Sequence, residues 1–186
     1  MEQKNSIRKD TKNYTLADIR AEIEEDVDIL WELGYKEVKG NIYDCEINNR
    51  ALRRLGRCTR VAPKWYSISI NAEYLKLAEP KSVHNTIMHE VIHSLSGCMN
   101  HGKKWQMIAE RVSAYYKSFG EITRTHNLKE DKDYDNYIKS KYKYSIECQG
   151  CHSKWNFIRK TKTYKACSSG RATCSCGSKN FICTEL

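Results

Sequence analysis

At 186 residues and 21.7 kDa the chain has room for one ordinary hydrophobic core and a small second module, which excludes a large multidomain machine. Hydrophobic residues at 40% and charged residues at 30% give a globular composition, and no apolar run exceeds three residues, far short of the roughly 20 that a membrane-spanning helix needs. The net charge of +9 is concentrated late, with 12 basic and 6 acidic residues from Leu128 to Leu186 against 20 and 17 before them, which points to a polyanionic partner, nucleic acid first.

The polar start, MEQKNSIRKD, has no apolar stretch behind its charges, so a frayed tail over residues 1–13 and a cytoplasmic protein are expected. Thr15 with Asp18 three positions on reads as a helix start, and Leu16, Ile19, Ile23, Val27, Leu30 and Trp31 recur at helical spacing up to Gly34. Ile42–Ile47 and Trp65–Ile70 read as strands, the second with clean alternation. Between them Arg50, Arg53, Arg54, Arg57 and Arg60 form a basic patch on a strand or hairpin arm, with part of the cluster expected to point inward. Ser82 reads as the cap of a helix through Val83, Ile87, Val91 and Leu95 that stops at Gly97, and a second helix runs from about Lys103 to Lys117. Glu121–Thr125 suggests a short strand. Lys129–Asp135 is charged and core-free, so a linker is expected over residues 128–141, separating a domain at 14–127 from a module at 142–186.

The chemistry sits inside the middle helix as His89-Glu90-Val91-Ile92-His93. Residues four apart stand one above the other on a helix face, so both imidazoles can reach one Zn²⁺, while Glu90 is placed to meet a water at the metal and accept its proton. His101, just past the Gly97 turn, supplies a third nitrogen and leaves a fourth position open, the catalytic arrangement. A metzincin pattern fails because Ser96 and Met99 stand where Gly and His would be needed. Glu110 on the following helix stays as a rival third ligand. Nothing marks an oxyanion stabiliser beyond weak candidates in Tyr115 and Tyr116, and His84, His126 and His152 read as ordinary surface or core histidines.

Nine cysteines in a chain expected to be cytosolic read as metal ligands or buried thiols rather than disulfides. Cys148-Gln149-Gly150-Cys151 and Cys174-Ser175-Cys176-Gly177 form two close pairs, and four thiolates closing on one Zn²⁺ make a structural tetrahedral site, a zinc ribbon. The second pair is CxC, one residue shorter than the usual knuckle. Cys167 and Cys183 are expected to be free thiols. Basic residues interleaved with Trp155, Phe157 and Tyr164 suggest a surface where aromatics stack on the bases of a single strand.

Arg53-Arg54-Leu55-Gly56, Asn85-Thr86-Ile87-Met88-His89-Glu90-Val91-Ile92-His93 and Asn100-His101-Gly102-Lys103-Lys104-Trp105, together with the cysteine module, resemble the SprT-like zinc metalloproteases, which include the Spartan-type DNA–protein crosslink proteases. HExxH alone is shared by many metalloproteases; joined to HGxxW at this spacing it is specific, and the resemblance covers nearly the whole chain after the tail. It implies an α+β zincin-like domain of bacterial type followed by a β zinc ribbon, with His89, His93 and His101 on a catalytic zinc, Glu90 as acid/base, and Cys148, Cys151, Cys174 and Cys176 on a structural zinc. The implied activity is a zinc-dependent endopeptidase acting on proteins bound or crosslinked to DNA. A monomer is expected. The alternative is a nucleic-acid-binding zinc module whose protease-like domain turns over weakly.

Overall fold

The computed structural model describes residues 12–116, 120–125 and 131–186, so most of the expected tail, three residues of the expected linker and His126 lie outside the described residues. The chain divides into two compact units between Asp135 and Asn136. No described helix is long and apolar enough to cross a membrane.

The first unit begins with α1 (Leu16–Glu32), opened by the expected capping box in which the Thr15 side chain accepts the Asp18 N–H and the Asp18 carboxylate reaches back to Thr15. Its buried stripe includes Ile19, Ile23, Ile29 and Leu30. Strands β1 (Ile42–Asn48), β2 (Gly56–Ala62) and β3 (Trp65–Asn71) form a sheet in the order β1-β3-β2, with β1 parallel and β2 antiparallel to the central strand. On β3 the alternation is literal: Tyr66, Ile68 and Ile70 are buried, while Trp65, Ser67 and Ser69 face the other way. The buried face is covered by α1, lying against β1, and by α3 (Pro80–His93), lying against β2 and β3. Then follows α4 (Lys103–Tyr115), burying Trp105, Ile108, Ala109 and Val112.

Three expectations need correction. The middle helix starts at Pro80 rather than beyond Ser82, because a proline at the first helical position lacks only an N–H that has no intrahelical partner there anyway. Glu121–Thr125 forms no strand; Ile122 is buried and its N–H donates to Ser113 Oγ, which turns the segment back over α4. The third concerns the expected linker, which is helical as α5 (Lys132–Ser140) and carries buried anchors at Asp131 and Tyr134.

Those anchors explain how the loop before β2 is held. Asn71, 1% exposed, caps the short helix α2 (Ala72–Leu77) by accepting the Glu73 and Tyr74 N–H groups through Oδ1. Its Nδ2 donates to the carbonyls of Ala51 and Arg54 and to the Tyr134 hydroxyl, which itself donates to the Leu52 carbonyl at 2.9 Å. The Asp131 carboxylate accepts the Glu79 N–H at the head of α3. A segment that reads as polar and core-free is thereby the brace for both chain entries to the site, a role set by contacts distant in sequence.

The second unit is a sheet in the order β5-β4-β6, from β4 (Tyr144–Cys148), β5 (Lys154–Phe157) and β6 (Phe181–Glu185), all neighbours antiparallel. Helix α6 (Lys162–Ser168), N-capped by Thr161, interrupts what reads as continuous β structure and packs Tyr164 and Cys167 on Ile146. Of the three aromatics expected to stack on bases, Phe157 and Tyr164 fill this small core; Trp155 is 42% exposed.

Replacing Asn71 by Ala removes the partner of two part-buried carbonyls and of two helix-cap N–H groups and is expected to lower the unfolding free energy by about 2–4 kcal/mol, whereas Ser67→Ala on the outer face should change it by less than about 0.5 kcal/mol. Denaturant unfolding of the two variants checks this, and equal small effects would contradict the bracing role.

Candidate metal centre and cleft

The last two turns of α3 carry His89 and His93, and the chain after it turns at Gly97, whose φ of +76° favours glycine, to return His101 to the same place. The three Nε2 atoms lie 3.2 Å (His89 to His93), 3.2 Å (His93 to His101) and 2.9 Å (His89 to His101) apart. Two of the rings have their tautomer set by main-chain carbonyls, His89 Nδ1 donating to Thr123 O at 3.1 Å and His93 Nδ1 to Cys98 O. A proton on each Nδ1 leaves a lone pair on each Nε2, so acceptors face acceptors. That arrangement is repulsive unless a cation sits among them, and the spacing approaches the roughly 3.3 Å between nitrogens bound tetrahedrally at about 2.05 Å, which fits zinc. Burial holds the His93 and His101 imidazoles below their ordinary values, with the nearby Arg124 pushing His101 further the same way. Both effects favour the neutral, ligating ring.

Trp105 is the platform beneath the cluster: its ring lies 4.7 Å from those of His89 and His101 and 5.6 Å from that of His93, centroid to centroid. Glu110, the rival ligand, is exposed on α4 and lies outside the histidine group. His84 Nε2 lies 3.1 Å from Glu22 Oε1, both side chains buried, and His152 stands 3.5 Å from Glu147 on the second unit.

Glu90 is 7% exposed and faces the start of β2. Burial raises its carboxyl to about 7, against the pull of a hydrogen bond from the Cys58 main chain and of the Arg54 guanidinium. The close approach depends on Gly56, where a Cβ would meet Glu90 Cγ and Oε1 at 2.7 Å. Sequence reasoning passed over Gly56 as a site residue; a glycine inside a strand is the signal that something approaches its backbone. The carbonyls of Cys98 and Thr123 were missed too, and since any residue supplies a carbonyl, no side-chain signal could have found them. A cleft of about 350 Å³ opens beside His89 and Glu90, walled by Leu55 and Gly56, by Ser82, Asn85 and Thr86 of α3, and by Gly120–Arg124. Tyr115 and Tyr116 do not line it.

On the second unit Cys148, Cys151, Cys174 and Cys176 converge, all four sulfurs lying within 4.8 Å of one another. Sγ of Cys148 is 3.6 Å from that of Cys176 and Cys151 is 3.7 Å from Cys174, close to the roughly 3.7 Å edge of a tetrahedron with zinc–sulfur bonds of about 2.3 Å. The shortened CxC pair closes because Gly177, at φ +88°, donates its N–H back to the Cys174 carbonyl. In the other knuckle a Cβ on Gly150 would meet Ser178 Cβ at 2.7 Å, so only glycine fits. Main-chain N–H groups of Cys151, first, and Gly150 draw the Cys148 thiol down to about 6 against desolvation, favouring the thiolate that ligates. Cys167 and Cys183 stay outside the group, and burial raises both thiols.

Two clusters so arranged predict one zinc per cluster. Elemental analysis should find that His101→Ala removes one equivalent and Cys174→Ser the other; loss of both from either single variant would contradict two independent sites. Gly56→Ala should keep both ions yet lower any Glu90-dependent hydrolysis at least about tenfold, because the carboxylate must shift away from its place. Unchanged turnover in that variant would contradict the packing argument.

Residues 30–126 match the model of the SprT-like family, more than half of the chain and a span that takes in Gly56, α3, His101, Trp105 and the Gly120–Arg124 wall. A search among curated proteins finds no match. The chain belongs to the SprT-like family, and its first unit is a metalloprotease-like domain.

Proposed function

We propose that the protein is a zinc-dependent endopeptidase whose substrates are proteins bound or crosslinked to DNA. The observation that carries the peptidase reading is the placement of a buried carboxylate beside three converging imidazole Nε2 atoms at the mouth of an open cleft. Zinc held by His89, His93 and His101 would polarise the scissile carbonyl and acidify a water molecule. Glu90 takes the proton from that water and passes it to the leaving amine, a task suited to a carboxyl whose burial lifts it towards neutrality. His89 and His93 are kept in register by the Thr123 and Cys98 carbonyls, so the site is organised before substrate arrives. Glu90 lines the cleft while only 7% exposed, so its carboxyl meets a substrate in a site with little bulk water around it.

The DNA half of the reading is supported by the +9 charge and by the family resemblance of the motifs, and it gives the second unit, with four candidate zinc thiolates, a structural and recruiting role. Incubation of the zinc-loaded chain with a DNA-binding protein, with and without single- or double-stranded DNA, tests both halves. Cleavage is expected in the presence of DNA and should fall by at least about 100-fold in Glu90→Gln, which keeps its zinc. Equal cleavage by both proteins would overturn the role of Glu90. No cleavage by either, with both zinc ions bound, would favour a nucleic-acid-binding zinc module over a peptidase.

A further inference from the structure

The sheet of the first unit covers its helices with one face and presents the other to solvent. From Ile47 to Ala72 the sequence holds six cations and no acid. Arg50, Arg53, Arg54, Arg57, Arg60 and Lys64 are all exposed. On β2 the register sets Arg57 beside Ser69 on the outer face and Arg60 beside the buried Tyr66 on the inner one, as expected of a cluster with part of it turned inward, and both side chains still reach solvent at the edge of the sheet. Among the described residues Arg50, Arg57, Arg60 and Lys64 form no ion pair. Arg50, Arg57, Arg60 and Lys64 thus form a run of exposed charge without an ion-pair partner among the described residues, carried by the edge strand β2 and the turns at its two ends.

At the far end of that line two large aromatic side chains are displayed. Tyr43 and Trp65 are 69% and 51% exposed, and their rings stack in parallel, 1° apart in plane with centroids 5.4 Å apart. Tyr43 sits at the β-bulge where the β1 register shifts between Ile42 and Asp44. A bulge re-aims a side chain, and here it brings the tyrosine onto the Trp65 ring instead of into the core. On β1 two acidic residues follow Tyr43: Asp44 is 3.3 Å from Arg20, and Glu46 is exposed, with β3 between it and β2.

We propose that β2, its flanking turns and the Tyr43–Trp65 stack form a binding track for single-stranded nucleic acid on the metalloprotease-like unit itself. Phosphates would lie along Arg57, Arg60 and Lys64, and a base would continue the ring stack from a free face. The ring pair selects single strands, since a duplex offers base faces only at its ends. The placement has a consequence that rests on the peptidase reading: β2 runs from Gly56, against Glu90, to the aromatic pair, about 20 Å at roughly 3.4 Å per residue. A protein attached to a strand on this track is held within that distance of the cleft. The binding itself does not depend on the peptidase reading.

The test measures fluorescence anisotropy of labelled oligothymidine with the full zinc-loaded chain carrying Glu90→Gln, so that no cleavage enters the readout. Arg57→Gln with Arg60→Gln should weaken binding about tenfold and flatten the slope of log affinity against log salt by about 1.4, two phosphates at roughly 0.7 each. Trp65→Ala should weaken it about tenfold with the slope unchanged, and Trp65→Phe should restore most of the loss. Glu46→Gln should tighten binding. Thermal unfolding of each variant identifies any that fail to fold, and Tyr43→Ala replaces Trp65→Ala in that event. Wild-type affinity and slope in both the arginine and the aromatic variants would overturn the proposal, and so would equal affinity for polyglutamate, which offers charge without bases. If the track fails this test while DNA-stimulated, Glu90-dependent cleavage persists, the peptidase reading stands alone.

Discussion

Three imidazole nitrogens within 3.2 Å of one another, at least two of them committed to acceptor roles by carbonyls behind their rings, form a cluster that repels itself without a cation. Much of the first unit serves to hold that cluster. The helix supplies two nitrogens at i and i+4, the glycine turn after it returns the third, and the Trp105 ring closes the far side so that the rings cannot separate by swinging into the core. A fold that organises lone pairs in advance makes metal binding and local stability one quantity, because the ion relieves a repulsion that folding builds in.

Glu90 shows the same logic applied to a proton. Its carboxylate is lifted by burial, held by the main chain of Cys58 and moderated by Arg54, and each of those groups lies on β2 or the loop before it. The position of β2 is in turn set by Asn71 and Tyr134, which satisfy the carbonyls of Ala51, Leu52 and Arg54. The chain of causes from the Tyr134 hydroxyl to the Glu90 carboxyl crosses three elements, and every link is a hydrogen bond or a close packing contact.

What could be read from the sequence was local. His89, Glu90 and His93 declare themselves because helical periodicity alone places them, and the strand Trp65–Asn71 because alternation does. His101 and the four cysteines were legible as spacings, and the structure brings each set together. The bracing role of residues 131–135 was not legible, since Asp131 and Tyr134 acquire their partners only from segments some 50 to 80 positions away. Helix α6 was hidden by a basic, aromatic composition that suits a strand equally well. The wall at Gly120–Arg124 looked like a strand from Ile122 and Thr123, yet its Ile122 N–H goes to a serine side chain and not to a neighbouring strand.

Zinc-edge X-ray absorption on the loaded protein distinguishes most directly the two chemically different metal sites, one of nitrogen and one of sulfur. Two nearest shells are expected, near 2.0–2.1 Å from nitrogen or oxygen and near 2.3 Å from sulfur, with the sulfur shell lost in Cys174→Ser and the lighter shell retained. A wild-type spectrum with sulfur neighbours alone would mean that the three histidines hold no zinc, and would contradict a nitrogen site in the first unit.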